Sequence, residues 1–131
     1  MGPCGGVYIG MGDAVEVIAL LARFVERRDG RLTGGPTRLR PWRPTSPRHW
    51  HASINGRPFD LTLISTSHPN FFLLCGDYED EAAAIGSDPM SYPFHLSLCA
   101  GRGREEDDEL LDQLLVALAK LLNGVSTPVE S

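Results

Sequence analysis

The stretch His49-Trp-His-Ala-Ser-Ile-Asn55-Gly56-Arg-Pro-Phe-Asp60-Leu-Thr-Leu-Ile64 decides the fold of this chain. Asn-Gly supplies the two positive φ values that a two-residue type I′ hairpin turn requires, so His49–Ile54 and Arg57–Ile64 are expected to pair antiparallel. Counting outward from the turn sets Ile54 opposite Arg57, Ser53 opposite Pro58, Ala52 opposite Phe59, His51 opposite Asp60 and Trp50 opposite Leu61. Pro58 then falls in a non-hydrogen-bonded pair, where its missing N–H costs the ladder nothing. This register sorts Trp50, Ala52, Ile54, Phe59, Leu61 and Leu63 onto one face. His49, His51, Ser53, Asp60 and Thr62 go to the other, as a half-buried sheet requires.

More strands flank the hairpin. Phe94, Leu96 and Leu98 alternate with His95, Ser97 and Cys99, Val7-Tyr8-Ile9 is a short apolar run among glycines, and Phe71-Phe-Leu-Leu-Cys75 reads as a continuous apolar strand. Two helices frame them. Asp13 and Glu16 have capping-box spacing before an apolar run that continues to about Arg28, with Gly30 as its stop. The apolar residues of that helix spread beyond one face, so it is either deeply buried or partly covered by a partner. From Glu105 to Leu122 a second helix carries four acids at its start, Lys120 near its end and a stripe through Leu111, Leu114, Leu115 and Leu118. Asp77 to Gly86 is expected to make one or two helical turns. The expectation is an α+β domain spanning 1–131: a single antiparallel sheet of about four to five strands, with two main helices, at about 13–28 and 105–122, packed on its apolar face.

At 131 residues the chain is about one domain long, and its 42% hydrophobic and 22% charged residues are globular proportions. No apolar run approaches the ~18 residues of a membrane span. A formal charge of −5 argues against nucleic acid or an anionic membrane as the main partner and favours a basic one. Cys4, Cys75 and Cys99 are odd in number, widely spaced and without a Cys-x-x-Cys, so reduced thiols and cytoplasmic residence are the expectation. Between about 31 and 48 lies a basic, Pro/Arg-rich connection, within which Arg38-Leu-Arg-Pro41-Trp-Arg-Pro44 matches a PxxP ligand for a polyproline groove.

Four groupings bear chemistry. Gly10-Met-Gly12 lacks the third glycine of a dinucleotide-binding loop and reads as a turn. His49, His51 and Asp60 share a face and form a two-histidine, one-carboxylate set suited to a metal, and Ser53 beside His51 invites a nucleophile and base reading; the face is open and lacks an oxyanion hole. Cys75 and Cys99 have neither a helix N-terminus nor a local signature to lower a thiol pKa, and are expected to lie in or near the core. The acid runs Glu79-Asp80-Glu81 and Glu105-Glu106-Asp107-Asp108 are left as the candidate surface for a partner.

Gly2-Pro3 with Val7-Tyr8-Ile9, the strand Phe94–Cys99 and the leucine-rich end Leu114–Val125 together resemble small bacterial α+β families of the polymorphic-toxin immunity-protein type. The resemblance implies a non-enzymatic, cytoplasmic protein without a cofactor that binds and blocks a cognate toxin, and it assigns no particular residue. Beside it stand two other readings: a small metal-dependent or hydrolytic enzyme using His49, His51 and Asp60, and an adaptor presenting the PxxP segment.

Overall fold

A computed structural model describes residues 2–34, 47–101 and 105–130, with the side chains of 74, 75, 105 and 106 outside that set. The Arg38–Pro44 segment therefore lies outside the described residues. The elements run β1 (Cys4–Ile9), α1 (Ala14–Glu26), β2 (Arg31–Gly34), β3 (Arg48–Ile54), β4 (Arg57–Ser65), α2 (Phe71–Cys75), α3 (Tyr78–Ile85), β5 (Phe94–Ala100), α4 (Glu105–Leu121) and β6 (Val125–Ser126), with a 3-10 turn at Pro89–Ser91. Six strands form one sheet in the order β2-β3-β4-β5-β1-β6. Every described pairing is antiparallel.

The hairpin register is the one the turn dictates, with Ser53 opposite Pro58 and His51 opposite Asp60. Asn55 and Gly56 take φ of 52° and 74°, as a type I′ turn needs. The sheet is wider than the four to five strands expected, because β2 adds to β3 and β6 to β1 as short edge strands. Edge strands of two to four residues carry too little alternation to be told from loop.

Phe71–Cys75 is helix, not strand. An apolar run this short has no readable period, and a short helix lets Phe71 reach the far face of the sheet, where it packs edge-on against Tyr8 at 6.1 Å between ring centroids.

α1 and α4 lie on the same face. Val17, Leu21, Phe24 and Val25 of α1 join Leu111, Leu114, Leu115 and Leu118 of α4 over Trp50, Ile54, Phe59, Leu61, Leu96 and Leu98. Asp13 caps α1, its carboxylate accepting from the amides of Val15 and Glu16 at 3.0 and 3.4 Å. The left-handed residue that ends α1 is Asp29, at φ 55°, rather than Gly30, which follows it, donates its amide to the Val25 carbonyl at 3.0 Å and lies where a Cβ would collide with the carbonyl of Ser53 on β3. Leu114 and Leu118 are buried in this layer. Truncating either to Ala is expected to cost about 2–5 kcal/mol in urea unfolding, and near-neutral values at both would disprove the assigned helix face.

Candidate functional site

The opposite face of the sheet is divided. Over β1, β5 and the end of β4 it is covered by the α2–α3 layer, with Tyr8, Ile64 and Phe71 forming a small second core joined by Phe72, Ile85, Tyr92 and Val125. Over β2, β3 and the start of β4 the described structure places no helix on it, and the polar residues of the hairpin stand open.

On that open half, His51 Nδ1 lies 2.5 Å from Asp60 Oδ1, and His49 Nδ1 lies 2.8 Å from Thr62 Oγ1. A carboxylate only accepts, so Nδ1–H of His51 donates to Asp60 and Nε2 is left facing outward. This is how a general base is oriented, but the His51 and Asp60 side chains are 81% and 59% exposed, so water competes for both groups. The depression beside them, about 500 Å³, is shallow and includes Arg31, Thr33, Ser53 and Pro58. Among the described residues no hydrogen bond joins Ser53 Oγ to His51, and no three His, Cys, Asp or Glu side chains are grouped to hold a metal ion. The register thus brings His51 and Asp60 together and directs His49 to Thr62 instead.

Cys4 and Cys99, neighbours on β1 and β5 with Cα atoms 4.1 Å apart, form a disulfide. The expectation of reduced thiols is corrected here. The two cysteines are 95 positions apart in the chain, so spacing gave no hint of the contact. Only the pairing of β1 with β5 creates it. Cys99 is accordingly neither a free core thiol nor a nucleophile, and the side chain of Cys75 is outside the described set.

Next to the disulfide a recess of about 140 Å³ is bordered by Gly6, Asp80, Glu81, His95, Thr127 and Glu130. The Tyr8 hydroxyl donates to Glu81 Oε1 at 2.7 Å, tying α3 to β1. His95 is buried beside the Tyr8 ring, with centroids 4.7 Å apart. Sequence alternation placed His95 on this face but did not show that α2 and α3 would cover it. Burial pushes its pKa down from 6.5 to about 4, because the imidazolium would lose its hydration. A base with a depressed folded pKa stabilises the fold fully above its unfolded value and loses that contribution as pH falls toward the folded one. Stability should therefore drop by roughly 2 kcal/mol between about pH 7 and pH 5 from this group. His95→Gln should flatten that slope in pH-dependent urea unfolding, and an unchanged slope would show that another group carries it.

The acid runs separate into different environments. Glu79 and Asp80 are exposed on α3 and enter no ion pair among the described residues, whereas Glu81 is half-buried against Tyr8. Asp107 is only 2% exposed and is held by Arg57, with Nε and Nη2 at 2.8 and 2.6 Å from Oδ1. Asp108 is exposed, and Glu105 and Glu106 open α4 with side chains outside the described set.

Exposed apolar side chains accompany the acids of the α2–α3 layer, a feature the sequence reading missed. Leu73 is 85% exposed, and Tyr78 and Met90 are also exposed. Tyr78 is tied to the elements on either side of it: Phe72 packs on its ring at 5.5 Å between centroids, and Asp88 accepts from both the Tyr78 hydroxyl and the Met90 amide, each at 2.9 Å. The Asp88 contact also raises the Tyr78 pKa.

No protein-family model, curated protein or solved structure matches this chain. Among the described residues no helix is long and apolar enough to cross a membrane.

Proposed function

We propose that this chain is a non-enzymatic protein-binding module of the immunity or inhibitor kind, which blocks a cognate toxin by covering a basic surface with its acidic α2–α3 layer. The observation that carries the reading is the composition of that layer: Leu73 of α2, Tyr78 of α3 and Met90 of the 3-10 turn that follows are exposed, Glu79 and Asp80 follow Tyr78 on α3, and no cation of the described structure is paired to either acid. Apolar and aromatic anchors ringed by charge are what a protein partner with a basic rim would recognise. Asp108 adds to the negative field from the α4 end, while Asp107 contributes through the fold rather than by contact.

The disulfide removes the reduced-thiol ground for cytoplasmic residence, and this reading sets the module to work where a disulfide persists. A small hydrolytic or metal-dependent enzyme remains as a second reading because of the His51–Asp60 contact alone. Metal titration followed by histidine NMR shifts tests it, and tight binding with displaced His51 signals would favour it.

The test of the binding reading is capture from the native host with the parent chain and with Leu73→Asp/Glu79→Lys. A basic protein held by the parent and lost by the variant, and toxic to cells unless the parent is co-expressed, is the expected result. Equal capture by both would remove the α2–α3 layer from the account.

A further inference from the structure

α1 carries more apolar surface than the sheet covers. Its buried residues are Val17, Leu21, Phe24 and Val25, and Phe24, at the edge of that core, also belongs with half-buried Leu20 and with Arg23 and Arg27 to a stripe at i, i+3, i+4, i+7 spacing. Ala117 and Leu121 of α4 stand opposite that stripe at i, i+4 spacing. Between the two helices runs a groove of about 240 Å³ with an apolar floor of Leu20, Phe24, Ala117 and Leu121 and a rim of Arg23, Arg27 and Arg28.

The rim is partly fixed in place. The Arg28 guanidinium lies 3.6 Å from the centre of the Phe24 ring, and its Nη1 donates to the Phe24 carbonyl at 3.2 Å. Arg23 and Arg27 are exposed, and none of the three arginines forms an ion pair among the described residues. Among the described residues no carboxylate lines the groove.

We propose that this groove docks an acidic amphipathic helix of a partner protein. Two helical walls with apolar residues one turn apart accept a third helix whose own apolar stripe follows the same spacing. From Leu20 to its C-cap Arg27, α1 spans ~10 Å, about two turns of such a helix. Three arginines on the rim, none with a carboxylate partner among the described residues, select glutamate and aspartate flanking that stripe and repel lysine. The site is independent of the proposed toxin-binding layer, since α1 and α4 cover one face of the sheet and α2 and α3 the other. Failure of one leaves the other standing.

The experiment uses the full, oxidised chain and a fluorescein-labelled helical peptide of about four turns, with leucines on one stripe and glutamates elsewhere, read by fluorescence anisotropy. Saturable binding is expected, weakened about tenfold or more by Arg27→Glu and likewise by Leu121→Glu, with no binding of the same peptide carrying lysines. Far-UV circular dichroism and the thermal midpoint check both variants, and Arg27→Glu, at an exposed site, decides the matter where Leu121→Glu fails to fold. Equal binding of the lysine peptide, parent-like binding by folded Arg27→Glu, or no saturable binding would overturn the proposal. A concentration-dependent dimer of the chain alone, dissolved by Arg27→Glu in sedimentation, would overturn it in favour of a second copy as the occupant.

Discussion

Reducing the Cys4–Cys99 bond is expected to cost about 4–5 kcal/mol of stability, the chain-entropy value for a closed loop near 100 residues. The bond joins residues 95 apart, so the unfolded oxidised chain is a large ring and loses much of the freedom that a linear chain would have. For a chain of this size that translates to a fall in Tm of roughly 10–20 °C on adding reductant. β1 keeps its hydrogen bonds to β5 and β6, so the reduced protein should retain its fold at low temperature. Of three cysteines two are bonded, so thiol titration of the oxidised, denatured chain should count one, Cys75. Three titratable thiols, or a Tm indifferent to reductant, would remove the disulfide from the account.

Replacing Asp107 by Ala is expected to destabilise by about 2–4 kcal/mol, toward the lower part of the range for breaking a buried ion pair because the Arg57 side chain keeps 22% of its exposure. The loss comes less from the attraction removed than from a guanidinium left without its carboxylate beside the hairpin turn. The double variant Arg57→Met/Asp107→Leu removes both charges, and it should be considerably more stable than the sum of the single changes implies. A cost below about 0.5 kcal/mol for Asp107→Ala would show that the pair is exposed in solution and that Asp107 is available to a partner.

The local parts of the fold were legible in the sequence. Asn55-Gly56 fixes the turn and, through the period of two, the whole β3–β4 register down to His51 against Asp60, because nothing non-local is needed to count along a ladder. Asp13 with Glu16 marks the start of α1 for the same reason, and the leucine spacing marks the buried side of α4.

What required partners far along the chain was not legible. β2 and β6 exist because β3 and β1 offer them edges, and the helical Phe71–Cys75 brings Phe71 to a second core built from residues far along the chain. The Cys4–Cys99 bond appears only when β5 lies beside β1. The candidate site follows the same division. The His51–Asp60 contact could be counted from the turn, whereas neither the withdrawal of Asp107 to Arg57 nor the exposure of Leu73 could be read from a run of acids or a run of apolar residues.

The central claim is that the α2–α3 layer binds a basic protein surface, and the association kinetics of the captured partner test it most directly. Glu79→Lys/Asp80→Lys should lower Tm by only a few degrees, through the first turn of α3, slow association by about tenfold at low salt and reduce the dependence of the rate on ionic strength. An association rate equal to that of the parent at every salt concentration would contradict the claim.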